Sequence, residues 1–194
     1  MKHIVLIYIF FISSSYLFAQ SSDEYKNKGY FNLSKISYHF VNKISYDVFT
    51  PGQGGYNYDI EENNSMAIGA YTINGWFVFP WLSAGVGVGY EYQNTMNFHL
   101  VPLYFDLRTY LSKSKNAIYL FADYGIITGL NNNVGTGMML NIGIGYKFFV
   151  KGYCFTAGFD FNSYTLLEVS GYPEPDPVHD FSVSSTAISI GILF

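Results

Sequence analysis

Charge is scarce in this chain. Lysine, arginine, aspartate and glutamate make up 12% of 194 residues, about half of the roughly 25% usual in soluble globular domains. A water-facing surface is hard to assemble from so few charged groups, which weakens the reading as a soluble sandwich. A basic excess is missing as well: the formal charge is −4, so nothing favours phosphates, and nucleic acid is not expected as a partner. The single cysteine, Cys154, excludes an internal disulfide. Long apolar runs are absent too. The run from Ile4 to Ile12 falls short of the roughly 20 residues that a membrane-spanning helix requires, and no spacing of histidine, cysteine or acidic residues suggests a metal or cofactor.

Aromatic residues, by contrast, reach 20%, while the mean hydropathy is only +0.14. Both values suit strands that show hydrocarbon one face and a packed interior the other. The clearest such stretch places Leu82, Ala84, Val86, Val88, Tyr90 and Tyr92 on one face and Ser83, Gly85, Gly87, Gly89 and Glu91 on the other. Side chains alternate across a strand, so a period of two is what a wall between lipid and a polar interior needs.

Strands are expected at residues 30–40, 65–79, 81–92, 98–111, 117–128, 138–149, 152–166 and 181–194, joined by connections that alternate between long and short. The fold class is therefore all-β: an eight-stranded antiparallel up-and-down transmembrane β-barrel. The long connections are 41–64, with Pro51-Gly52-Gln53-Gly54-Gly55, then 93–97, 129–137 and the proline-rich 167–180. Long loops face outward in such barrels and short turns face the periplasm, which puts both termini in the periplasm of an outer membrane. Residues 1–19 have the basic, apolar and small-residue regions of a secretory signal ending at Ala19; 20–28 form a short periplasmic segment and 29–194 the barrel. Aromatics that gather beside the short turns, Trp76, Phe77, Phe79 and Trp81 at one and Phe148, Phe149 and Tyr153 at another, read as an interfacial girdle.

Following the alternation inward brings Glu91, Asp106, Asp123 and Asp160 together with Arg108, the only arginine of the chain, and Lys147. An interior just wide enough to be filled by side chains has to pair these charges, so one network joining all six is expected, as packing and not as chemistry. Gly85, Gly87 and Gly89 leave room for cross-strand rings, with Tyr104 and Tyr110 as the candidates.

The segments Pro80-Trp81-Leu82-Ser83-Ala84-Gly85-Val86-Gly87-Val88-Gly89-Tyr90, Pro102-Leu103-Tyr104-Phe105-Asp106-Leu107-Arg108 and Gly143-Ile144-Gly145-Tyr146-Lys147-Phe148 resemble the small outer-membrane β-barrels of the Bacteroidetes type, related in shape to OmpX and the OmpA barrel. The carboxyl-terminal strand, ending on Phe194, resembles the signal read by the barrel-insertion machinery. The resemblance implies fold and location; its motifs are structural and carry no activity.

The function expected is non-enzymatic: binding, structural or complex-accessory, exerted through loops that a rigid scaffold holds. Tyr46, Phe49, Tyr56 and Tyr58 in 41–64, and Tyr172 in 167–180, are the candidates for contact with a partner membrane protein, a surface ligand or lipopolysaccharide. The alternative is an enzyme that deacylates or acylates lipid A. It would need a base beside a hydroxyl, and His39, His99 and His179, all expected near the outer rim, with Ser182 close to His179, are the available groups. A pore is a third reading. Two substitutions separate the wall from the loops: Val86→Arg, near the midplane on the lipid face, lowers stability by roughly 2 to 4 kcal/mol, while Asn132→Arg in a loop leaves the yield of folded protein in liposomes unchanged.

Overall fold

The computed structural model describes residues 27–50, 54–60, 65–112, 114–131, 134–169 and 179–194, with the side chains of 47–50, 54–58, 60, 168 and 179 not described. The signal segment, Tyr172 and the side chains of Phe49, Tyr56, Tyr58 and His179 therefore lie outside the described residues. Nine strands follow one another: β1 (Gly29–Thr50), β2 (Gly54–Ile60), β3 (Met66–Phe79), β4 (Leu82–Gln93), β5 (Phe98–Tyr110), β6 (Ala117–Gly129), β7 (Thr136–Val150), β8 (Tyr153–Val169) and β9 (His179–Leu193). Each pairs antiparallel with its neighbours, and β9 returns to pair with β1. Among the described residues the ring β1, β3, β4, β5, β6, β7, β8, β9 is a closed eight-stranded barrel without helices.

The ninth strand corrects the expected loop 41–64. β1 runs on past Phe40, and β2 folds back along it in a register from Ile44 opposite Ile60 to Thr50 opposite Gly54. Residues 44–50 and 54–60 are thus paired strands rather than parts of a loop, and alternation in Ile44, Tyr46, Val48 and Tyr56, Tyr58, Ile60 is their sequence signal. Below it β3 takes the same flank of β1, from Phe40 opposite Met66 downward. A bulge between Val41 and Lys43 breaks the register with β9. It also switches which side chains point inward, from Lys35, Ser37 and His39 before it to Ile44 after it, as an extra residue in a strand must.

The expected wall is present on β4: Val86 and Tyr90 are exposed outward, and Ser83, Glu91 and Gln93 are buried inward. Two of the three connections at the end carrying the amino terminus are tight. Phe79 and Leu82 flank Pro80-Trp81, and Val150 pairs with Tyr153 across Lys151 and Gly152, both at positive φ (51° and 91°), the left-handed pair that a tight hairpin requires. At this turn end Phe194 exchanges two backbone hydrogen bonds with Asn32, 2.8 and 3.0 Å, so the last residue is sewn into the seam.

Inside, the filling is layered. Phe31, Leu33, Ile73, Phe77, Tyr110 and Tyr119 close the turn end, and Ile44, Phe98, Leu100, Ile127, Leu166 and Phe181 close the loop end. Rings rest on glycines: a Cβ at Gly87 would overlap the Tyr104 ring, one at Gly145 the Tyr119 ring, and one at Gly89 the Tyr71 ring. Tyr104 thus occupies its expected bed, whereas Tyr110 does not lie over the β4 glycines and packs against Phe77 and Tyr119.

Candidate functional site

Between the two apolar layers lies the charged middle of the barrel. Asp106 and Arg108 are two apart on β5 and so share the inward face. Arg108 Nε donates to both carboxylate oxygens of Asp106 at 2.9 Å, and its Nη2 donates to Oδ2 at 2.8 Å. The guanidinium lies 5.2 Å from the Tyr119 ring centre and 5.3 Å from that of Phe121, and the residue is 1% exposed. A planar fork between a carboxylate and two rings is a fit that lysine could not reproduce. Asp123 stands opposite Asp106 in the ladder. It accepts from Asn141 Nδ2 at 3.0 Å and lies 3.6 Å from Lys35 Nζ, both at Oδ2.

A second cluster forms on β3, β4, β1 and β9. Tyr71 donates to Glu91 Oε2 at 2.7 Å, and His39 Nε2 lies 3.1 Å from the same hydroxyl and 3.9 Å from Glu91. Ser185 Oγ lies 3.4 Å from His39 Nδ1. Hydroxyl, imidazole and carboxylate are the parts of an acyl-transfer relay, but each is buried in the barrel interior, where the chain of bonds braces four strands against one another.

The single network expected from the sequence is therefore corrected. Arg108, Asp106 and Asp123 adjoin one another, Glu91 belongs to the second cluster, and Lys147 is held apart at the turn end. Its Nζ donates to Asn27 Oδ1, while Asn27 Nδ2 donates to the Pro80 carbonyl at 2.8 Å. The cation that the sequence reading missed is Lys35, with its aromatic neighbours Tyr71 and Phe121 at 5.3 and 5.2 Å. Its signal was the outward series Ile36 and Phe40, which turns Lys35, Ser37 and His39 inward. His39 is consequently an interior residue and not a rim residue. His99 faces outward, 2.5 Å from the Tyr90 hydroxyl.

Three aromatic assignments change as well. Phe77 is not part of the girdle: it points inward at 8% exposure and packs on Phe31, because its parity on β3 is that of Tyr71 and Ile73. Phe149 shares the inward parity of Lys147 and is half-buried beside Lys115 and Lys147. Trp76, Phe79, Trp81 and Tyr153 are exposed, and Phe148 stacks between Tyr146 and Phe155. Tyr46 is a strand residue stacked on Phe181 at 5.6 Å and not a loop residue, since β1 extends past it.

No protein-family model matches the chain, and no curated protein matches it. Solved structures do. The outer membrane protein AlkL, determined by solid-state NMR in DMPC bilayers, aligns with a TM-score of 0.56 and 12% identity over 91% of this chain and 94% of AlkL. The outer membrane protein OprG of Pseudomonas aeruginosa aligns at 0.51 and 11%, over 89% and 99%. Neisserial surface protein A aligns at 0.45 and 10%, over 84% and 96%. At these identities AlkL and OprG show a shared fold, the eight-stranded antiparallel barrel known from outer membranes.

Removing the arginine tests the centre directly. Arg108→Met leaves Asp106 buried without its cation and lowers stability by about 3 to 5 kcal/mol. Arg108→Met with Asp106→Leu recovers part of the loss, measured by urea unfolding in lipid bilayers; a single variant as stable as wild type would remove the pair from the structure's support.

Proposed function

We propose that the chain is an integral outer-membrane protein, with turns and termini in the periplasm, that works without catalysis as a binding, structural or complex-accessory barrel through its loop-end surface. The observation that carries this reading is the filled interior. Arg108, Phe98, Leu100, Ile127 and Phe181 are fully buried inside, so the barrel offers little passage through itself, and the β1–β2 hairpin and the long loops are what remains for recognition. Location is supported by the exposed apolar wall, with Val86, Leu103, Phe105, Ile142 and Ile190 facing out, by the likeness in fold to AlkL and OprG, and by the secretory signal read at 1–19. The finer resemblance to small Bacteroidetes-type barrels, and the role of Phe194 in delivery to the insertion machinery, belong to the same proposal. Phe49, Tyr56, Tyr58 and Tyr172 are the contact residues it names; Tyr46 acts by holding the hairpin on Phe181.

Three measurements test it. In planar bilayers the purified barrel gives no steady conductance of porin size. From native membranes in mild detergent it co-purifies with a partner that is lost when Tyr56→Ser, Tyr58→Ser and Tyr172→Ser are combined in a barrel that still folds. Deacylation of lipid A abolished by His179→Ala would overturn the reading in favour of the enzyme.

A further inference from the structure

We propose that the middle of the barrel holds a small hard cation, calcium or sodium, on the side-chain oxygens of Asp123, Asn141, Asp160 and Asn162. The four residues point inward from three adjacent strands, β6, β7 and β8. Asp123 stands opposite Asn141, and Asn141 opposite Asn162, so their Cβ atoms are about 4.5 to 5.5 Å apart; Asp160 follows two residues before Asn162 on the same face. They are 1, 4, 2 and 4% exposed, and the Oδ1 atom of each is buried without a hydrogen-bond partner.

All four of these atoms are acceptors, and no side-chain donor among the described residues bonds to them. Asn141 Nδ2 and Lys35 Nζ both address Oδ2 of Asp123, not Oδ1, and Arg108 spends its bonds on Asp106. Tyr104 Oη, on the same side of the barrel, is also without a partner. Acceptors left bare in a low-dielectric interior are costly.

Charge points the same way. Glu91, Asp106, Asp123 and Asp160 face Arg108 and Lys35, since Lys147 is held at the turn end by Asn27. The four carboxyl groups outnumber these two side chains, and a buried charge demands compensation. Carboxylate and amide oxygens are the ligands that calcium takes. The set offers two carboxyl and two amide groups and neither imidazole nor thiolate, the ligands that transition metals favour; among the described residues no three His, Cys, Asp or Glu side chains group around a metal position.

Thermal unfolding of barrel refolded after chelation, followed by tryptophan fluorescence, is compared in calcium chloride, sodium chloride and choline chloride at equal ionic strength. The midpoint rises, and saturates, in calcium chloride for a calcium site, or in sodium over choline chloride for a sodium site, as binding to the folded state alone requires. Asp160→Asn loses most of this rise, whereas Asp59→Asn, at the exposed pair with Lys43, keeps it. Equal midpoints in the three salts for the wild-type barrel would overturn the site, leaving water or shared protons to satisfy these oxygens; so would a rise that Asp160→Asn retains. Should Asp160→Asn fail to fold, terbium added to the refolded wild type decides: tyrosine-sensitised emission displaced by calcium or sodium supports the site, and its absence overturns it.

Discussion

Closure of β1 onto β9 is the constraint from which the rest of the structure follows. An extended strand carries backbone donors and acceptors along both edges, and hydrocarbon satisfies neither, so a sheet facing lipid has to return on itself. The seam runs from Leu33 opposite Leu193 to Asp47 opposite Asp180. Closing the ring with eight strands fixes the diameter, and a barrel of that size has room for side chains and little else. The inward positions must therefore fill space as carefully as a protein core does, which is why rings lie over Gly87, Gly89 and Gly145.

A narrow interior also decides how polar groups survive there. The interior is layered: aromatic and aliphatic side chains close both ends, and the buried charges other than Lys147 lie between them. The confinement raises the strength of each pairing and the cost of each omission. Arg108 meets it by engaging a carboxylate and two rings at once, and Lys35 by lying among Asp123, Tyr71 and Phe121. Both cations are buried, and their contacts tie β5 to β6 and β1 to β6.

The sequence was most legible where alternation is unbroken. On β4, β5, β6, β7 and β8 the inward sets headed by Glu91, Asp106, Asp123, Asn141 and Asp160 can be written from the period of two alone. β1 resists, because the bulge at Asn42 switches its faces and its polar series, Asn32, Ser34, Lys35, Ser37, His39, has no clean apolar side. That one break hid Lys35, which lies between Asp123 of one cluster and Tyr71 of the other, and His39, which belongs to the second. Phe77 departs from its expected place for another reason: proximity to a turn suggests an interface, whereas parity with Tyr71 and Ile73 decides. Proline and glycine at 51–55 read as loop punctuation, although the β-formers that alternate on both sides of them pair as strands. Pairing distances, finally, are set by strand tilt and stagger, which no single strand encodes, so Lys147 could not be separated from the carboxylates by reading alone.

The reading as a membrane barrel links the closed seam, the exposed apolar wall and the buried charges into one account, and the seam is its most accessible part. The direct test is the mobility of the membrane-extracted protein in SDS with and without boiling. A closed barrel has no free edge from which to unravel, so the unboiled sample runs at a different apparent size from the boiled one, and the protein is recovered with outer membranes. Identical mobility before and after boiling, with recovery in the soluble fraction, would contradict it.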